Sequence, residues 1–433
     1  MNVAKLISLL RDAIGGGFGR RVMLPFAAVL VVVVALAGCG GSSETTSSGG
    51  EASTPASEET GAEETGAEEK EEEGGEAGVS AAGYKYGGTP KETEEAKTKG
   101  GEAAGKEESP PTGKTIGVIQ LSGESSTSVL VADAAKHIGD MFGYTVNVCD
   151  PQLEEQKFAE CATSILAQSP SVIFSVSSNP ALFGSAVKEA EGQGIPWFNV
   201  GSASAKSTEI NNYGIDGFAL AKTLDEYMFE AMREKHGSSG EKMKVFAITA
   251  PTVGISSRNS EIELKRNAEE AGDVELIIHN LDLANAPQDT LTSSRQTLER
   301  NPELAGMWTL CDFCLPLMAQ TVSTYPEAKD VVVAGEYSNP QAVADIRKGT
   351  VSAIADYAWA LPVWVGMDQV LGNWAHKEKI TQGFGVFKTY PLPFMEPYLL
   401  TKENVGKSGP VPIFGPDFEA FFEEKWGKEF GVG

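Results

Sequence analysis

Residues 171–201, SVIFSVSSNPALFGSAVKEAEGQGIPWFNVG, spell a strand, a helix and the start of a second strand. Val172, Ile173, Phe174 and Val176 form a short apolar run, and Asn179-Pro180 then supplies a cap and a first-turn proline. Leu182, Phe183, Ala186, Val187 and Ala190 recur at helical spacing until Gly192 and Gly194 stop them, and Ile195 to Val200 is strand-like again. The strands show almost no polar alternation. Both of their faces must therefore be covered by helices, which defines a βαβ unit in a parallel sheet.

The same grammar extends in both directions. Upstream, Thr115–Leu121 reads as a strand, Val131, Ala135, Ile138 and Phe142 mark a helix face, Tyr144–Cys149 reads as a strand, and Phe158, Ala162, Ile165 and Leu166 mark a second helix. Downstream, strands are expected at Lys244–Thr249, Val274–Asn280, Gly306–Leu310, Val331–Ala334, Val351–Ala355 and Pro397–Leu400. Helices are expected at Phe218–Met232, Glu261–Glu270, Thr290–Arg300, Pro316–Thr324, Gln341–Lys348 and Val363–Trp374. Two open α/β sheets in tandem leave a cleft between them, and such sheets bind ligands beyond the carboxyl ends of their strands. In the first lobe this selects the loops Ser122–Ser128, Ser177–Asn179 and Gly201–Ser204.

Ahead of this folded part the chain reads differently. Lys5, Arg11, Arg20 and Arg21 precede the apolar run Leu24–Leu36, which is short for a membrane span and closes in Leu36-Ala37-Gly38-Cys39. That closure resembles the bacterial lipobox, which implies cleavage after residue 38 and a diacylglycerol thioether on Cys39. An uncleaved N-terminal anchor is the alternative. Residues 39–113 are rich in Gly, Ser, Thr, Ala and Glu, with too few apolar side chains to offset ordering entropy, so a disordered acidic tether is expected. Much of the formal charge of −25 sits there, and no basic face suited to nucleic acid is evident.

Chemistry is sparse. The four His, at 137, 236, 279 and 376, lie on separate elements without metal spacing, so neither a metal nor another cofactor is expected. No nucleophile elbow or phosphate loop occurs, and no acid/base set can be assembled, so the chain is not expected to be an enzyme. Cys311-Asp312-Phe313-Cys314 is a CxxC at a helix start, readable as a local disulfide or as free buried or ligand-facing thiols. Cys149 and Cys161 are placed for a second bridge, although Cys161 also suits a core position.

At this point TIGVIQ (115–120), GYTVNVCD (143–150), VIFSVSSNPALFGSAVKEAEGQGIP (172–196), YGIDG (213–217), VVVAGEYSNPQAVADIRKGT (331–350) and YLLTKENV (398–405) together resemble the type I periplasmic (solute-binding) proteins of ABC importers, in particular the ribose-binding-like sugar branch in its lipoprotein form. The resemblance implies two doubly wound parallel-sheet lobes joined by a three-crossing hinge. Lobe 1 would comprise residues 114–216 and about 357–386, lobe 2 residues 217–356 and about 387–405, with a C-terminal extension at 406–433. In the extension, Phe418, Phe421, Phe422, Trp426 and Phe430 form a stripe expected to pack back on the protein, with partner or membrane contact as the alternative.

The implied function is capture of a small polar solute, a sugar or sugar-like molecule, by an exported protein held at the membrane, periplasmic or outer face, by lipid on Cys39, and its presentation to an ABC permease. The alternative is a ligand sensor or wall-associated interaction protein with the same fold and no permease. Positional transfer puts the ligand between Ser125, Ser126, Thr127, Gly201 and Ser202 on one lobe and Arg258, Cys311, Asp312 and Tyr337 on the other, with Asp356 at the hinge and Asp216 as a hinge residue. Several positions where sugar binders carry rings or carboxylates hold other residues here. Poor binding of ribose and glucose, and a preference for an acidic or otherwise polar group facing Arg258, follow as expectations.

Overall fold

The computed structural model describes residues 84–86, 109–201, 210–213, 215–237, 240–381, 396–415 and 417–432. All of them fall in one compact unit, residues 72–433. The signal region, Cys39 and Ser202 lie outside the described residues.

In chain order the elements are β1 (Tyr84–Tyr86), β2 (Thr115–Ile119), α1 (Ser126–Phe142), β3 (Thr145–Cys149), α2 (Glu155–Ala167), β4 (Val172–Val176), α3 (Ala186–Gly192), β5 (Trp197–Val200) and β6 (Asn211–Tyr213). There follow α4 (Gly217–His236), β7 (Met243–Thr249), α5 (Ile255–Ala271), β8 (Val274–Asn280), α6 (Ala286–Arg300), β9 (Leu304–Thr309) and α7 (Cys314–Ser323). The chain ends with β10 (Val332–Glu336), α8 (Pro340–Lys348), β11 (Ala353–Asp356), α9 (Leu361–His376), β12 (Tyr398–Thr401), β13 (Val411–Ile413) and α10 (Phe418–Phe430).

The strands form two main sheets. The first has the order β3-β2-β4-β5-β6 and is parallel throughout. The second has the order β12-β11-β10-β9-β7-β8 and is parallel except for β12, which runs antiparallel to β11. Alternation along each strand sends side chains to both faces, and both are apolar. Val172, Phe174 and Val176 join the core containing α1 and α9, whereas Ile173 joins Phe158, Ile165, Phe183 and Trp197 on the other side.

Asn179 caps a 3-10 turn, Pro180–Phe183, its side chain accepting from the Ala181 N–H. The helix expected across 182–190 is therefore split, because Gly184 at φ +59° turns the chain before α3 begins. A disulfide joins Cys149 at the end of β3 to Cys161 on α2, and a second closes Cys311 to Cys314.

The chain crosses between the sheets after β6 and again after β11. At the first crossing Asp216 caps α4 by accepting from the Phe218 and Ala219 N–H groups. The Tyr357 hydroxyl, from the second crossing, donates to the Asp216 carbonyl (3.0 Å), so the two passes are pinned to one another. Beyond β12 the chain leaves the second sheet and returns to the first. Arg347 on α8 holds the carbonyls of Val405 and Pro410 (3.1 and 3.2 Å), and β13 pairs in parallel with β1, so residues 84–86, within the stretch read as tether, are a strand.

All five aromatic residues of the C-terminal stripe are buried. Trp426 stacks on Trp364 of α9 (5.2 Å) and meets Phe142 of α1 edge-on (5.6 Å), and its indole N–H donates to Asp368. Among the described residues no helix is long and apolar enough to cross a membrane.

Beneath α4 and α5 the second lobe buries acidic groups. Burial pushes Asp225 up to about 8, although Asn267 donates to it (2.8 Å), and raises Glu336 well above the usual carboxylate range. An unfolded aspartate titrates near 3.9. The fold therefore holds a proton that the unfolded chain releases, and Asp225 lowers stability progressively as pH rises from about 4 to about 8, with no further loss above that. Asp225→Asn should flatten the fall in melting temperature between pH 5 and pH 8, and an unchanged slope would show that this carboxyl is not the titrating group.

Candidate functional site

The carboxyl ends of the two sheets face one another across a narrow cavity lined by both lobes. The first lobe contributes Leu121 after β2, Ser125 and Thr127 at the start of α1, Ser177 after β4 and Gly201 after β5. Ala250, Val253, Ser256 and Ser257 come from the β7–α5 connection, Leu281 and Leu283 from beyond β8, and Leu310, Cys311, Asp312 and Phe313 from beyond β9. Tyr337 and Trp359 follow β10 and β11, with their rings edge to face at 5.1 Å.

Asp312 closes the cavity. Its Oδ2 accepts from the Ser126 N–H (2.8 Å) and the Ser125 hydroxyl (3.1 Å), so a carboxylate of the second lobe sits on the N-terminus of α1 in the first. Oδ1 accepts from the Phe313 N–H (2.9 Å). Burial nevertheless pushes the group up to about 6, outweighing donors that act in the opposite direction. A second interlobe link is the Ser256 hydroxyl, which donates to the carbonyls of Gly201 (2.6 Å) and Ile215 (3.2 Å).

Ser125, Thr127, Gly201, Cys311, Asp312 and Tyr337 are thus brought together on the wall. Ser126 contributes its backbone N–H to Asp312 and does not line the space. Asp356 stands behind the wall, accepting from the Ser338 N–H and hydroxyl and from the Tyr357 N–H; burial raises it to about 6. It fixes the loop that presents Tyr337, whose φ is +66°.

Arg258 is a correction. Its side chain is exposed and off the wall, and the preference for an acidic ligand falls with it. Helix α5 starts at residue 255 instead of the expected 261, a phase that turns Ser256, Ser257 and Ser260 inward. Among the described residues no Lys, Arg or His lines the cavity, and no His/Cys/Asp/Glu group could hold a metal.

Sequence reasoning missed Leu281, Leu283, Phe313 and Trp359. The strand-end rule that selected the first-lobe loops would have found the leucines had it been applied after β8. Trp359 carried no such signal, because its place depends on Gly201. A Cβ on Gly201 would lie 2.3 Å from the Trp359 ring, and its φ of +77° also favours glycine. The indole therefore lies directly against the first-lobe backbone at Gly201.

A family model described as periplasmic binding protein domain matches residues 116–371, and the chain belongs to that family. No curated protein matches it. Among solved structures it is similar to a carbohydrate transporter solute-binding protein from Agrobacterium radiobacter in complex with D-arabinose, at 15% identity over 68% of this chain and 96% of that one, with a TM-score of 0.58. It is also similar to an ABC transporter solute-binding protein from Mycobacterium smegmatis with bound glycerol (18% identity, 69% and 99% covered, TM-score 0.57). A third is an ABC transporter periplasmic solute-binding protein from Actinobacillus succinogenes with bound D-allose (16%, 67% and 98%, 0.56). At these identities the likeness defines the fold and leaves the ligand to the residues of the wall.

Gly201→Ala should cost about 1–3 kcal/mol more than Gly237→Ala in urea unfolding. Both glycines have positive φ, but only Gly201 faces a ring, and Gly237 has nothing within 4 Å of an added Cβ. Equal costs would contradict the contact between Gly201 and Trp359.

Proposed function

We propose that the protein is the lipid-anchored solute-binding component of an ABC importer, which captures a small solute in the interlobe cleft and presents the closed form to a permease. The observation that carries this reading is the cavity itself. It is assembled from the strand ends of both lobes, so a ligand inside it touches both and stabilises closure by differential contact. Relatives of the same fold hold pentoses, hexoses and polyols, which supports a small neutral hydroxylated solute here.

Asp312 gives the closure its energetics. With its group raised to about 6, the side chain is ionised at neutral pH, and the dominant influence on it is lost hydration. Opening the lobes returns that charge to water. Closure without ligand is therefore costly at neutral pH, and the bound solute supplies the remainder. The lipid on Cys39, after cleavage at Gly38, would hold the receptor at the membrane while residues 40–83 give it reach.

Mass spectrometry of the protein extracted from membranes of its host tests both halves of the reading. Denatured, the chain should begin at Cys39 carrying diacylglycerol. Sprayed natively, it should carry a small-molecule adduct that is lost in Tyr337→Ala and Asp312→Ala but retained in Lys188→Ala, on the exposed side of α3. An unmodified Cys39 would remove the anchor, and an adduct indifferent to all three substitutions would remove the cleft as the binding site.

A further inference from the structure

We infer that the solute is a neutral molecule with an apolar body and a single hydroxylated end, of the aryl-alcohol type, rather than a free sugar or polyol. The inference rests on the receptor reading above and narrows its ligand. The wall is largely hydrocarbon: Leu121, Leu281, Leu283 and Leu310 line it together with the rings of Phe313 and Trp359. A free pentose or hexose carries hydroxyls around its whole edge, and each one buried without a partner is penalised. Sites for such ligands need polar groups converging from many sides. Here such groups are few, and most of their capacity is used within the protein.

The polar groups are the hydroxyls of Ser125, Thr127 and Ser177 from the first lobe and of Ser256, Ser257 and Tyr337 from the second. Part of that capacity is already committed. Ser125 and Thr127 share a hydrogen bond (2.8 Å), Ser125 donates to Asp312, and Ser256 donates to Gly201 and Ile215. The Asp312 carboxylate, the one charged side chain among the described lining residues, already accepts from Ser125, Ser126 and Phe313, so much of its hydrogen-bonding capacity is used within the protein. With no Lys, Arg or His among the described lining residues, an anionic ligand is not matched there.

A second, independent observation concerns Trp359. Its indole N–H is buried and has no hydrogen-bond partner, although the ring lines the cavity. A buried donor of that kind is unfavourable unless something accepts from it, and a single ligand oxygen is enough. One ligand hydroxyl accepting from Trp359, with a ring or short chain laid on the leucines and Phe313, suits such a wall.

The test is calorimetry on the full chain with 2-phenylethanol, cyclohexanol, D-arabinose and glycerol as probes. The two apolar alcohols should bind at least about tenfold more tightly than the pentose and the polyol, a difference of about 1.4 kcal/mol. Leu283→Ser, at a half-buried position, should erase the advantage without changing the melting profile, and Phe313→Ala should weaken 2-phenylethanol several-fold. D-arabinose or glycerol binding as tightly as the alcohols, or tighter, would overturn the inference and leave the receptor reading intact. Binding by none of the four would overturn it as well, while the native adduct experiment decides the receptor reading separately.

Discussion

Asp312 reaches from the loop after β9 to the first turn of α1, and the geometry of the cleft follows from that reach. The carboxylate supplies the side-chain acceptor that the exposed N–H groups at the start of α1 lack. Ser125 is the helix N-cap, yet its hydroxyl caps nothing in its own helix and turns instead to Thr127 and Asp312. A helix of one lobe is thus completed by the other. The loop that carries Asp312 is correspondingly fixed: the disulfide between Cys311 and Cys314 brackets it, and Asn339, itself the cap of α8, donates its amide to the Asp312 carbonyl.

The hinge follows the same economy. Asp216 starts α4, and Tyr357 returns across the crossing to bond its carbonyl, so two of the passes share one anchoring point. Tyr357 is also held by Asp356, whose other partners are in the Tyr337 loop. Residues that touch the cavity, such as Tyr337 and Trp359, are therefore one or two bonds away from residues that set the hinge. Contact with a solute and the angle between the lobes are mechanically adjacent. The extension adds a further constraint, since it runs from Arg347 on the second lobe to a buried aromatic stack on the first.

Much of the architecture was legible because strand and helix periods are local properties. Val172–Val176 was read to the residue, and the doubly wound order of both lobes followed from apolar strands separated by helix faces. Two kinds of feature were not legible. Helix phase at α5 is not legible, because Ser256, Ser257 and Ser260 give no apolar stripe and the expected start falls at Glu261, while Arg258 rests on positional transfer from the family resemblance alone. Antiparallel β12, the 84–86 strand and the seat of Trp359 are contacts between segments far apart in sequence, and no spacing within either segment encodes them. At the site, positions that end strands are legible, whereas the hydrocarbon character of the wall comes from leucines of four separate loops brought together only by the fold.

The account turns on lobes that close around a solute. Spin labels at Lys188 on α3 and Lys265 on α5, both exposed, report the distance between the lobes directly by double electron–electron resonance. A broad or long distribution in the emptied protein that collapses to one shorter distance with saturating solute is the predicted result. A single distance that stays the same with and without bound solute would contradict a hinge-closing receptor.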